Sequence, residues 1–217
     1  MCGRYSLVQS KEDLEVQFKV KVANDYQPRY NAAPTQLMPV ILNEDPDTAQ
    51  MVFWGLKPVW FHPGKKVYLN NVRAENLREK PTFKKDLMER RCLVLADGFY
   101  EWQKTEDGKQ PYRIVLKDNR PFAFAGLWEE NMIEDKKVKT FAIITTTPNS
   151  VLLPIHNRMP VLLSPGDENK WLKEPDLDLL NPFSPEKMEA YKVSTALNSA
   201  KYDRETLIEP IEELSSK

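Results

Sequence analysis

Cysteine and histidine are scarce in this chain. Two of each occur among 217 residues: Cys2, Cys92, His62 and His156. Two cysteines exclude a disulfide framework and point to a reducing compartment, the cytoplasm or the nucleus. None of the four stands at metal-ligand spacing, so no structural zinc, and no metal or cofactor of any kind, is expected. No run approaches the ~20 apolar residues that a membrane span requires. The first ten residues lead straight into the polar "SKEDLE", without the apolar stretch of a signal peptide. An excess of either charge is also missing, since 31 basic residues face 32 acidic ones. Nucleic acid, if bound, has to be held by a local patch and not by bulk charge. Glycine is low at seven against seventeen prolines, which reads as stiff connections with few flexible linkers. P-loop, dinucleotide-binding and serine-elbow patterns do not occur.

What is present fits one domain spanning residues 1–217. "RYSLV" (4–8) suits a first strand, and "SKEDLEVQF" a short helix capped by Ser10. "PRYNAAPTQ" (28–36) reads as an extended loop. "LMPVIL" and "AQMVFWGL" read as strands joined by the acidic turn "NEDPD". An irregular loop is expected over 57–66, and helices over 69–79 and 82–91, the latter capped by Thr82. Then come four strand-like blocks, "CLVLADGFYEWQK", "PYRIVLK", "PFAFAGLWE" and "TFAIITT", with hairpin turns at "EDGK" and "DNRP". The tail mixes short helices with one more strand, "EAYKVST". Strands, a helix and then many neighbouring strands imply an α+β class, mostly antiparallel. Charge is unevenly spread. Residues 78–91 hold six basic and three acidic side chains, and residues 167–189 three basic and seven acidic, which reads either as ordinary solvated faces or as one cationic side on a molecule neutral overall.

Cys2 follows the initiator directly. Aminopeptidases remove an initiator methionine when the next residue is small, and the mature chain then opens with an α-amine and a thiol on adjacent carbons. The amine titrates near about 7.7–8.0 and the thiol near about 8.5, so both are partly nucleophilic at neutral pH. Such a terminus can work as an N-terminal nucleophile, with the amine as base for the thiol. It can also condense with one aldehyde carbon, first as an imine and then as a five-membered thiazolidine, helped by intramolecular closure. Either use requires an accessible thiol. His156 lies in "IHNRMP" between an apolar run and Arg158, a setting for a proton shuttle. Glu101 shares a strand face with Phe99, and partial burial there would raise its pKa towards that of a general acid. Asn71, Arg73 and Glu75 lie in "NNVRAEN". Trp60 and Phe61 are adjacent in a proline-rich loop, where one exposed ring can stack on a base. His62 reads as a turn residue.

"MCGRY", "RYNAAPTQ", "FWGLKPVW", "NVRAE", "ADGFYEW" and "IHNRMPVLL" occur here in one fixed order. In that order they resemble the SOS-response-associated peptidase (SRAP) family, over nearly the whole chain. The resemblance implies a barrel-like β core with peripheral helices, loss of Met1 and covalent capture by Cys2 of the ring-opened aldehyde of an abasic site. The partner implied is single-stranded DNA with abasic sites, and the location cytoplasmic, nucleoid-associated on damaged DNA. A monomer is expected. Asn71, Glu101 and His156 become the companions of Cys2. Arg4, Arg73 and Arg158 take phosphate-contacting positions, and Trp60 that of an aromatic wedge. Phe61 stands where a bacterial relative has a second tryptophan, and Met159 where it has an arginine. The family's name adds a possible peptidase activity, with Met1 as its own substrate. The competing enzyme class is a glutamine amidotransferase of the N-terminal cysteine type, which shares Met-Cys-Gly but carries later Arg-Gly and Asn-Gly motifs not found here.

Overall fold

The computed structural model describes residues 2–57, 68–79, 83–106, 108–133 and 136–211. Its strands are β1 (Tyr5–Leu7), β2 (Lys21–Val22), β3 (Arg29–Ala32), β4 (Leu37–Leu42), β5 (Asp45–Trp54), β6 (Asn71–Arg73) and β7 (Arg91–Ala96). They continue as β8 (Gly98–Thr105), β9 (Gly108–Leu116), β10 (Phe122–Ile133), β11 (Lys136–Thr146), β12 (Met159–Pro160), β13 (Leu162–Leu163) and β14 (Met188–Lys192). The α-helices are α1 (Lys11–Phe18), α2 (Ala74–Glu79), α3 (Lys84–Glu89) and α4 (Pro165–Lys173).

Five strands close on themselves. β5 pairs β4, β4 pairs β7, β7 pairs β10 and β10 pairs β11, all antiparallel. β11 then returns to β5 in parallel, with Thr140 opposite Phe53 and Phe141 opposite Trp54. Closure leaves this ring without an open edge. All six residues of β7 are buried, because one of its faces fills the barrel and the other is covered. A second sheet, in the order β14-β9-β8-β1-β3, lies against the ring. Tyr5 of β1 joins the two layers, its ring 5.0 Å from Trp54 and 5.8 Å from Phe124. The α+β class with a mostly antiparallel barrel core is what the structure has.

Most local expectations correspond to real elements. Ser10 caps α1 by accepting from Asp13 N at 3.1 Å. Four differ. The segment expected as a loop over 28–36 contains β3, because it pairs β1, and Asp203 from the far end of the chain holds the Tyr30 and Asn31 backbone N–H groups. β5 begins at Asp45, inside the stretch read as an acidic turn. The helix expected over 69–79 starts as a strand. β6 runs parallel to β11, placing Asn71 half-buried, Val72 inside and Arg73 outside before α2 begins. The next helix spans only Lys84–Glu89 and has no side-chain cap; Thr82, like most of the loop expected over 57–66, lies outside the described residues.

On the other face of the second sheet from Tyr5, a buried polar network pins β1. Ser6 Oγ donates to Asp97 Oδ1 at 2.7 Å, and Arg113 Nη2 donates to the same oxygen at 3.0 Å. Val8 N also donates to the Asp97 carboxylate, and Arg113 Nη1 donates to Tyr191 Oη at 2.7 Å. Gly98 makes room for this arrangement: a Cβ there would stand 2.8 Å from Arg113 Nε and 3.0 Å from Ser6 Oγ. Gly98→Ala is therefore expected to push Arg113 off Asp97 and destabilise the fold by about 1–3 kcal/mol. Thermal unfolding checks this; a melting temperature within a degree of the parent's would contradict it.

Candidate functional site

The first strand, β1, lies inside the second sheet between β8 and β3. β1 pairs β8 with Tyr5 opposite Phe99 and Ser6 opposite Gly98, and Tyr100 N donates to Arg4 O at 3.0 Å. This register carries Cys2 towards Glu101. Asn71, from β6 on the barrel, donates its Nδ2 to the Cys2 carbonyl at 2.8 Å. The parallel β6–β11 pairing thus brings residues 2 and 71 together across the two layers.

The Cys2 side chain is 0% exposed, which corrects the expectation of an accessible thiol. The residues ahead of β1 follow it into the crevice between the layers, and Sγ rests 4.0 Å from Arg4 O. Burial, reinforced by the negative charge of Glu101, pushes the thiol far above its ordinary range. In this state it is a neutral thiol.

Glu101 is 2% exposed on β8. Burial is the main cause that raises its carboxyl to about 7, and the charge of the amino terminus opposes the shift. Its Oε2 lies 3.9 Å from His156 Nε2. His156 sits in a tight turn in which its own N–H bonds Leu152 O at 2.8 Å. Its Nδ1 lies 3.0 Å from Arg158 N and 3.3 Å from Arg158 O, and its Nε2 faces Glu101. Burial lowers the histidine's pKa. A raised carboxyl beside a lowered imidazole gives two groups able to exchange protons near neutrality. Both line an open cavity of about 430 Å³ together with Trp102, Lys104, Lys109 and Asn198.

The arginines are held in different ways. Arg4 Nη1 donates to Asn31 Oδ1 at 2.8 Å and to Leu197 O at 3.0 Å. Arg158 makes a bidentate pair with Glu75 at 2.6 and 3.0 Å and also donates to Thr145 O at 2.7 Å. That pairing holds the Glu75 carboxyl below its usual range. Its Nε–H has no partner among the described residues. Arg73 is exposed beside Asn71. Trp60 and Phe61 lie outside the described residues, as does His62. Met159 is fully buried and accepts from Asn149 N through its sulfur at 3.3 Å. Among the described residues no group of three His, Cys, Asp or Glu side chains could hold a metal, and no helix is long and apolar enough to cross a membrane.

The structure thus brings together Cys2, Asn71, Glu101 and His156 from four separate stretches. The family model for the SOS response associated peptidase (SRAP) matches residues 1–200. The chain belongs to the SRAP family. It is 41% identical over 222 residues to a Bacillus subtilis (strain 168) protein named abasic site processing protein YoqW, covering 96% of this chain and 99% of that one. It is 31% identical over 182 residues to the Escherichia coli (strain K12) abasic site processing protein YedK, covering 80% of each. A crystal structure of a Bacteroides thetaiotaomicron protein superposes with a TM-score of 0.85 at 28% identity, covering 97% of this chain and 100% of that one.

Some parts of this SRAP site escape a reading of the sequence. Asn31 and Leu197 as holders of Arg4, Thr145 as a holder of Arg158, and the lysines on the cavity wall carry no local signal. Asn31 does fall within "RYNAAPTQ", but nothing in its spacing reveals a partner 27 residues away.

The raised Glu101 pKa also has a stability consequence. The unfolded carboxyl ionises near about 4.3, and the folded one near 7. As pH rises between those values the unfolded chain releases its proton first, so the stability of the native state falls. Glu101→Gln is expected to match the parent near pH 4 and to exceed it by about 3–4 kcal/mol at pH 8, at ~1.4 kcal/mol per pKa unit. Denaturant unfolding at the two pH values tests this; a variant equally stable or weaker at pH 8 would count against the buried neutral carboxyl.

Proposed function

We propose that this SRAP chain binds single-stranded DNA at an abasic site and bonds covalently, through Cys2, to the ring-opened sugar, shielding the lesion. The observation that carries this reading is Glu101: a buried carboxyl raised to about 7, set between the Cys2 end of the chain and His156 on an open cavity. The names of the relatives, abasic site processing proteins, support the substrate class.

Loss of Met1 turns the Cys2 nitrogen into a free amine beside the thiol, and the thiol must leave its buried position to reach the substrate. His156 assists opening of the sugar hemiacetal to its aldehyde. The Cys2 amine attacks the aldehyde carbon, and Glu101 protonates the departing hydroxyl, so one water leaves and an imine remains. The thiol then adds to the imine carbon as its proton passes to the nitrogen, and the thiazolidine closes. Asn71 holds the Cys2 carbonyl and keeps the amine aimed at the cavity. Arg4, Arg73 and Arg158 meet phosphates with little base preference, and Trp60 or Phe61 stacks on a neighbouring base. The same Cys2, Glu101 and His156 set serves for hydrolysis of the Met1 peptide bond. The protein acts as a monomer, at damaged DNA in the cytoplasm or nucleoid.

The test is incubation with a single-stranded oligonucleotide carrying one abasic site, followed by denaturing electrophoresis and intact mass. The native chain is expected to lack Met1 and to give a stable adduct without reductant. Cys2→Ala is expected to lose the stable adduct while keeping an imine that borohydride traps. A normal yield of unreduced adduct from Cys2→Ala, or a retained Met1 in a fully active preparation, overturns the reading.

Glu101→Ala is expected to slow adduct formation at least 10²-fold while changing DNA affinity by less than about threefold. Single-turnover rates set beside equilibrium binding decide this, and parallel losses in both would reject the proton-transfer role.

A further inference from the structure

Beyond the β1 register the edge of β8 opens into the cavity. There Lys104 and Lys109 stand directly opposite each other on β8 and β9, and both line the cavity that Glu101 and His156 share. Two like charges on facing positions of an antiparallel pair repel. Neither lysine has an ion-pair partner among the described residues. The lysines of the neighbouring β10–β11 hairpin show the alternative: Lys137 pairs Glu130 at 3.1 Å, and Lys139 pairs Glu44 at 2.6 Å. The cavity wall is completed by Trp102, whose Nε1 donates to Asn198 Oδ1 at 2.6 Å and so fixes the indole.

We propose that Lys104 and Lys109 form a phosphate subsite at the cavity mouth, holding one phosphodiester of the strand that carries the lesion. The inference rests on the DNA-binding reading above and names the part of the strand this wall receives. A cavity of about 430 Å³ accommodates a sugar with one adjoining phosphate. A phosphodiester oxygen between two ammonium groups relieves their repulsion. Lys104 and Lys109 are exposed and line the cavity beside the reacting groups, so they add a phosphate contact to those of the arginines.

The experiment measures equilibrium binding of the full chain to a single-stranded oligonucleotide with a tetrahydrofuran abasic analogue, across a salt series. A second set of oligonucleotides replaces one phosphate at a time by methylphosphonate. Lys104→Ala with Lys109→Ala is expected to reduce the slope of log K against log salt by about 0.7, the value for one phosphate contact on a single strand. One methylphosphonate position is expected to weaken the parent at least threefold and to leave the double variant unaffected. Lys136→Ala with Lys137→Ala, on the other hairpin, is expected to leave the slope unchanged. An unchanged slope in the Lys104/Lys109 variant, an equal fall in the control, or equal sensitivity of variant and parent at every linkage overturns the subsite. Adduct formation by the parent on true abasic DNA, run in parallel, reports separately on Cys2.

Discussion

The pairing of three-residue β1 between β8 and β3 is the constraint on which the site depends. Its register with β8, Tyr5 opposite Phe99, decides where the chain begins relative to Glu101. A slip of one residue would send every side chain to the opposite face. Two residue pairs with β8 are too few to secure such a register, so side chains do it. Tyr5 is wedged against Trp54 and Phe124, and Ser6 is tied to the buried Asp97–Arg113 pair. The barrel beneath supplies the rigidity, since its ring of five strands has no edge along which to slide.

The polar groups around the amino terminus follow one logic. Two arginines near it are held by oxygens from distant segments: Arg4 by Asn31 and Leu197, Arg158 by Glu75 and Thr145. These ties join the N-terminal strand, β6 with α2, and the C-terminal turns into one wall. Asn31 shows how far this goes. Its Nδ2 donates to Ser199 O at 3.1 Å and Tyr202 O at 2.7 Å while Oδ1 receives Arg4. A buried amide with both ends occupied adds no desolvation penalty and fixes one geometry. Glu101 has the opposite character. Buried between the amino terminus and His156, it has its carboxyl raised to about 7 by burial, and that property makes it useful in chemistry that must both give and take a proton.

Several of the site's members were legible because their signal is local. The position of Cys2 behind the initiator, the shared face of Phe99 and Glu101, and His156 beside Arg158 are all visible over a few residues. The alternation of β8 survives in the structure: Phe99 enters the main core, while Tyr100 packs with Val193, Leu197 and Leu207 in a second cluster. β3 and β6 were not legible. A four-residue strand in a proline-bounded segment and a three-residue strand ahead of a helix have too little periodicity to register; they exist because β1 and β11 pair with them. The burial of Cys2 was misread for the same reason, since nothing preceding it in the chain announces a crevice.

By itself the sequence determined the chemistry available: an aminothiol in waiting, one carboxylate, one imidazole and a set of arginines, on a mostly antiparallel β framework with no metal-ligand spacing. Only the tertiary structure decided which of these meet. Residues 2, 71, 101 and 156 lie too far apart along the chain for any periodicity to relate them. Strand pairing between distant segments brings them within reach, and burial then sets their proton affinities.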